Sequence, residues 1–338
     1  MHASEQTDPR VRTDVSPPHL LELRGVSRYF QVRQGLFGAT RQLWAVADVS
    51  LTLEAGETLG LVGESGCGKS TVAKIAAGLL APSSGEVFFD GLPLLDGRVA
   101  GRPDRPSVHM VFQDPFSSLN PRLTIGRSIR EPLDIGGGHS LAARNEQVAE
   151  MLRLVGLLPE HAARYPHEFS GGQRQRVVVA RALINRPKLV ICDEPVSSLD
   201  ASVQAQALNL LKNLQERFSP AYLFISHDLS VVGHMSDRIA VMYLGRIVEL
   251  SATRDLFNAP LHPYTQALLA AVPGAERREG GLVKGDPASP LNPPPGCAFH
   301  PRCPKAMPCC RAQRPELLPV NGRLTACWLY DRPQQEEA

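Results

Sequence analysis

Apolar and polar positions change rhythm along the chain. Between His19 and Gly91, "LLELRGVSRYFQV", "LWAVADVSLTLEAGETLGLVG" and "GEVFFDG" are strand-like runs broken at Gly25 and Gly56, so the front is β-rich. From residue 141, "LAARNEQVAEMLRLVG" spaces Val148, Met151, Leu152 and Val155 along one helical face that ends at Gly156. "GGQRQRVVVARALIN" reads as a helix stopped before Pro187. Then "KLVICDE", "ASVQAQALNLLKNLQERF" and "AYLFIS" predict strand, helix and strand, the strands nearly continuously apolar as buried parallel strands are. "IAVMYLGRIVEL" predicts a hairpin turning near Gly245. Beyond Pro260 the chain turns rich in Pro and Gly, and "LNPPPG" suits a semi-rigid extended connector. The expected organisation is a lead-in over residues 1–18, a core domain over 19–259 and an extension over 260–338.

Length and charge narrow this. A chain of 338 residues can bury one large core and carry an accessory region. Lys and Arg number 36 against 34 Asp and Glu, a net charge of +2. No bulk basic field points to nucleic acid, and any partner must be recognised locally. The first residues hold acids and prolines where a signal peptide needs an apolar core, and no apolar run approaches the ~18 residues of a membrane span. A soluble, cytoplasmic protein is expected. Reducing surroundings disfavour structural disulfides, which leaves metal, redox chemistry or nothing for Cys297, Cys303, Cys309 and Cys310, crowded within residues 296–310.

The first chemical motif is "GLVGESGCGKST". It follows the apolar run Thr58 to Val62, leads into "TVAKIAAGLL", and fits G-x-x-x-x-G-K-[ST] from Gly63 to Ser70. In such a loop Gly63, Glu64, Ser65, Gly66, Cys67 and Gly68 offer backbone N–H groups to a phosphate chain, and the helix N-terminus adds a positive dipole end. Lys69 neutralises terminal phosphate charge, Ser70 can ligate Mg²⁺, and Thr71 follows on the helix. The bland reading is an ordinary glycine turn with Cys67 as a small filler.

"LVICDEP" puts Asp193 and Glu194 where a buried strand emerges, the ligand edge of an open parallel sheet. Asp193 suits Mg²⁺ held through water opposite Ser70, and Glu194 suits the base that polarises water attacking the γ-phosphorus. His227, in "FISHDL" at the end of the next parallel strand, is placed to hold the γ-phosphate and that water; the alternative is a polar loop residue. "EFSGGQRQR" opens a helix with Ser170, Gly171, Gly172 and Gln173, either a plain N-cap or a second anion site. One nucleotide has little use for two such sites on one chain, which hints at a dimer whose members complete each other.

Taken in order, Gly63 to Thr71, Gln113 in "MVFQDP", "SGGQ" at 170–173, "LVICDEP", "SSLD" at 197–200 and His227 resemble the ATPase subunit of an ABC transporter over about residues 20–250. The resemblance implies a phosphate-loop NTPase α/β core with a helical subdomain near residues 114–180, an antiparallel β subdomain and a small C-terminal extension. It further implies a head-to-tail dimer with a second, identical or related, ATPase subunit, ATP lying between one chain's phosphate loop and the other's "SGGQ". Gln113 would sense Mg²⁺ and water and relay nucleotide state to the membrane subunits. Asp200 would face the opposite subunit, or simply cap its own helix. Phe30, with Tyr29 as second choice, falls where the family stacks an aromatic on adenine, or else in the core. Trp44 is expected in the core.

"QDPFSSLNPR" at 113–122, "HPYTQALL" at 262–269 and "SPLNPPPGCAFHPRCPKAMPCC" look like the oligopeptide and dipeptide importer branch. That likeness implies two permease subunits, an extracytoplasmic solute-binding protein, and placement at the cytoplasmic face of the membrane. Nickel and glutathione importers use the same ATPase type, and a non-transport ABC ATPase is the rival from another class. Branch members with Cys297, Cys303, Cys310 and Cys327 are implied to hold an iron–sulfur cluster of the [4Fe–4S] kind. The residues themselves leave open iron–sulfur, zinc or free thiols, with Cys309 an alternative to Cys310.

Overall fold

The computed structural model describes residues 19–33, 40–94, 108–114, 118–272 and 288–330, and the expected lead-in falls outside them. A small antiparallel sheet runs in the order β2-β1-β4-β5, from β1 (Leu21–Arg33), β2 (Thr40–Leu53), β4 (Ser84–Phe89) and β5 (Leu92–Pro93). A larger sheet takes the order β11-β12-β10-β9-β3-β8-β7-β6. Its centre is β3 (Thr58–Val62), β6 (Val108–Val111), β7 (Leu189–Asp193), β8 (Ala221–Ser226) and β9 (Arg238–Tyr243), all paired parallel. The hairpin partner β10 (Arg246–Ala252) turns it antiparallel through Leu244 and Gly245, both at positive φ. The distant β11 (Leu318–Val320) and β12 (Arg323–Thr325) join at that edge, Glu249 opposite Thr325.

Side-chain alternation on the central strands sorts two cores. Leu59, Leu61, Leu189, Ile191, Leu223 and Ile225 face the small sheet together with α1 (Lys69–Ala76), which buries Val72, Ala73, Ile75 and Ala76. Val190, Cys192, Tyr222 and Phe224 face the other way, onto α2 (Ile125–Gly136), α3 (Leu141–Leu154), α4 (Gly171–Leu183) and α5 (Ala201–Phe218). Both faces are covered, which is why these strands read as continuous apolar runs. Helix starts are set by side-chain caps: Thr124, Ser140, Ser170 and Asp200 each accept a backbone N–H of the first turn. The remaining α-helices among the described residues are α6 (Leu229–Met235), α7 (Thr253–Asn258), α8 (Pro263–Ala270) and α9 (Pro308–Ala312).

The expectation of a core Trp44 is corrected. The indole lies on edge strand β2, is 42% exposed and leans on Tyr29 at 5.3 Å between ring centroids. A sheet covered on one face alone turns alternate residues outward.

Candidate nucleotide site and cysteine-lined cavity

Parallel register brings the chemistry to one edge. Val62 pairs with Ser226, Asp193 with Ile225 and Val111 with Cys192, so β3, β8, β7 and β6 all end there. The loops that follow them carry Gly63–Gly68, His227, Glu194 and Gln113, which is the ligand edge of an open α/β sheet. They surround a cleft of about 500 Å³, lined by Phe30, Leu43, Ala45, Ser65, Gly66, Gly68, Lys69, Ser70, Thr71, Gln113, Glu194, His227 and Pro290. That volume suits a nucleotide.

The loop is shaped by close approach. Gly68, at φ +110°, caps α1, and a Cβ there would stand 2.0 Å from the Ala45 carbonyl oxygen. Lys69 is buried, its Nζ donating to the carbonyls of Gly63 at 2.8 Å and Glu64 at 3.0 Å. The ammonium is thus held against the loop by carbonyl oxygens. Cys67 packs beneath the loop, its thiol pushed up by burial.

Ser70 Oγ donates to Asp193 Oδ1 at 3.1 Å, the donor set of a hydrated Mg²⁺ site. Burial raises the Asp193 carboxyl above its ordinary value, with the Ser70 hydrogen bond opposing. Glu194 takes a left-handed φ of +48°, a costly backbone state for a non-glycine residue and one concentrated at functional sites. That turn carries its carboxylate out of the sheet, where Gln113 Nε2 donates to Oε2 at 3.0 Å and His227 Nδ1 lies 3.3 Å from Oε1. Phe30 lines the cleft with the Arg28 guanidinium over its ring, so of the two aromatic candidates Phe30 faces the cleft and Tyr29 pairs with Trp44.

The remaining predicted residues stand apart. Ser170, Gly171, Gly172 and Gln173 do not line the cleft; Ser170 and Gln173 cap each other's backbone N–H at the start of α4. Asp200 caps α5 through Ser202 and Val203. Leu43, Ala45 and Pro290 are cleft residues that the sequence reading missed.

A second, smaller space lies beside the cleft. Cys297, Cys303, Cys310 and Cys327 line it with His262, Phe299 and Trp328, and Cys309 does not. Its volume is about 10 Å³, room for roughly one water. Burial raises all four thiols, Cys297 to about 11 and Cys327 to about 12, with the other three sulfurs adding to the effect on Cys327. Among the described residues no three His, Cys, Asp or Glu side chains form a group that could hold a single metal ion.

An open sheet with a glycine-wrapped lysine, a Ser–Asp pair and a strand-end glutamate defines a nucleotide-binding protein of the phosphate-loop class. Family models agree: "ABC transporter" matches residues 46–197, and "Oligopeptide/dipeptide transporter, C-terminal region" matches residues 248–310. The oligopeptide transport ATP-binding protein AppF of Bacillus subtilis (strain 168) is 51% identical over 320 residues, 92% of this chain and 97% of that protein. The dipeptide transport ATP-binding protein DppF of Escherichia coli (strain K12) is 46% identical over 322 residues, 94% of this chain and 96% of that protein. A solved dimeric ATP-binding cassette bound to ADP and phosphate superposes with a TM-score of 0.61 at 29% identity, covering 69% of this chain and 99% of that one. The chain belongs to the ABC transporter ATP-binding proteins, in the oligopeptide and dipeptide branch. Among the described residues no helix is long and apolar enough to cross a membrane.

Proposed function

We propose that this chain is the ATP-hydrolysing subunit of an importer that moves di- or oligopeptides across the cytoplasmic membrane, bound peripherally to two permease subunits. It rests on one piece of geometry. The Glu194 carboxylate is gripped between Gln113 and His227 at the sheet edge where Lys69 and the Ser70–Asp193 pair also meet. Lys69 and the loop N–H groups bind the phosphates, and Glu194 takes the proton of the attacking water while His227 and Gln113 fix its carboxylate. Ser70, Gln113 and, through water, Asp193 would hold Mg²⁺, which would supply charge neutralisation to the phosphates. The "SGGQ" turn, which does not line its own cleft, serves a second ATPase subunit in a head-to-tail dimer, with Asp200 toward the same partner. An extracytoplasmic solute-binding protein delivers the peptide.

Glu194→Gln keeps the hydrogen bond to Gln113 and removes the base. ATP binding is expected to stay within about twofold, while turnover falls about 10²–10⁴-fold; hydrolysis at the parent rate would reject the assignment.

For the cysteine cavity we infer an iron–sulfur cluster on Cys297, Cys303, Cys310 and Cys327. A tetrahedral zinc needs sulfurs about 3.8 Å apart, given Zn–S bonds of about 2.3 Å. A cluster binds each thiolate to a different iron and tolerates wider spacing. The thiols would have to lose their protons and the walls to part, so ordering of the extension would depend on the cluster. Anaerobic purification should give iron and absorbance near about 400 nm; a colourless, iron-free and fully folded protein would overturn it.

A further inference from the structure

The extension grips the phosphate loop. Arg302, in the 3-10 turn His300–Arg302, donates Nη1 to Glu64 Oε2 and Nη2 to Glu64 Oε1, both at 2.9 Å. The fork is shielded, with the arginine side chain 10% exposed and the glutamate 25%. Glu64 follows Gly63 in the loop, and its backbone N–H donates to the Tyr264 hydroxyl at 2.9 Å. One loop residue is therefore held by both ends, its amide by α8 and its carboxylate by the segment between Cys297 and Cys303. Tyr264 and Phe299 are fully buried and pack with Tyr243, ring centroids 4.7–5.4 Å apart, so the grip stands on a rigid base. The extension also touches the far end of the cleft, where Pro290 forms part of the lining and Asn292 accepts from Arg41 at 2.9 Å.

The loop also has closures of its own, from Lys69 Nζ to the Gly63 and Glu64 carbonyls and from the Cys67 N–H to the Glu64 carbonyl. A paired, shielded charge on the loop does have a consequence for ligand. Unpaired, the Glu64 carboxylate would stand beside the phosphate chain and repel it; paired with Arg302, it is neutralised and turned outward. We propose that Arg302 is a positioning residue for ATP, acting through Glu64, and that docking of the extension sets the nucleotide affinity of the phosphate loop. The proposal rests on the cleft being the ATP site. Arg302 immediately precedes Cys303, and Tyr264 stands two residues after His262. Both neighbours line the cysteine cavity, so its walls continue directly into the two arms of the grip.

The test uses the full chain and a fluorescent ATP analogue, with melting temperature recorded for every variant. Arg302→Gln is expected to raise the nucleotide Kd and the KM for ATP about 3–30-fold with kcat within about twofold. Arg302→Lys, which keeps charge and loses the fork, should fall between it and wild type. Arg302→Gln combined with Glu64→Gln should restore most of the affinity, because the stranded carboxylate is gone. Tyr264→Phe removes only the hydroxyl and keeps the packing, so it reports on the grip should Arg302→Gln fail to fold. Wild type that binds no ATP overturns the ATPase reading instead. Wild type that binds, with Arg302→Gln, Arg302→Lys and Tyr264→Phe binding equally well, overturns this inference, as does a double variant weaker than Arg302→Gln alone.

Discussion

The nucleotide cleft and the cysteine-lined cavity are neighbours built in opposite ways. The cleft opens at the edge of a parallel sheet, holds about 500 Å³, and sets a buried lysine, the Glu194 carboxylate and several polar side chains around it. The cavity has about 10 Å³ and is walled by thiols with a neutral, buried histidine and aromatic rings. Each depends on a glycine at positive φ that lets two backbones touch: Gly68 against the Ala45 carbonyl, Gly296 against the Cys310 carbonyl. In the cleft the close approach aims N–H groups at a ligand. In the cavity it pulls Cys297 to Cys310, whose carbonyl accepts the Cys297 N–H at 2.8 Å. The cleft is wide and lined by polar groups, and the cavity is narrow and lined by thiols and rings.

The largest break in this comparison is Gly68→Ala. The added Cβ would meet the Ala45 carbonyl at 2.0 Å and Met242 Cε at 2.9 Å, at a φ that L-residues avoid. Backbone cannot yield as a side-chain tip can, so the loop must move. Nucleotide affinity should fall more than about tenfold and the melting temperature by several degrees, a loss on the order of 2–3 kcal/mol. Titration with labelled ATP alongside thermal unfolding checks both; unchanged binding would show that the loop geometry does not depend on this contact.

The same contrast explains what the chain made legible. The strands Thr58–Val62 and Ala221–Ser226 and the helix Ala201–Phe218 coincide with their sequence runs, because buried parallel strands are uniformly apolar and Asp200 marks a helix start. The cleft residues Ser65, Gly66, Gly68, Lys69, Ser70 and Thr71, with Gln113, Glu194 and His227, were readable because glycine spacing and strand ends encode backbone geometry directly. Arg302 and Tyr264 were not readable. They lie 238 and 200 residues from Glu64, and an arginine or tyrosine in a Pro-rich segment carries no local mark of its partner. Trp44 failed for a related reason: alternation shows that a strand has two faces and not which of them stays uncovered. The cysteines showed their number and spacing, whereas the size of the space they enclose is a property of packing.

Acid should separate the two regions next. His262 lines the cavity, is buried, and accepts the Tyr264 N–H at 3.0 Å through Nδ1, capping α8. Burial lowers it to about 3 from 6.5. In the unfolded chain it takes a proton below about 6.5, and in the fold it does not, so its contribution to stability is lost as pH falls from there toward 3. Stability should drop by a few kcal/mol by about pH 4 from this group alone. His262→Asn retains a capping acceptor and cannot titrate, so it should be less stable at pH 7 by about 1–2 kcal/mol through lost packing, with a flatter acid limb. Denaturant melts between pH 4 and 8 measure the slope, and parallel wild-type and variant curves would place the acid sensitivity elsewhere.

The smallest effect sharpens the cleft side and has the opposite sign. Burial raises the Asp193 carboxyl above 3.8, so between its unfolded and folded values the native chain holds a proton that the unfolded chain has released. Stability therefore declines as pH rises through that window, and once ionised Asp193 is a largely buried carboxylate whose natural relief is a cation. Asp193→Asn keeps an oxygen that can accept from Ser70 Oγ and discards the charge. Without nucleotide or Mg²⁺ it should melt about 1–2 °C higher at pH 7.5, the gain shrinking toward pH 4, while Mg²⁺-dependent turnover is lost. Scanning fluorimetry across that pH range decides it. A variant that melts lower at pH 7.5 would mean that the Ser70 bond and the nearby Lys69 and Lys74 charges outweigh burial.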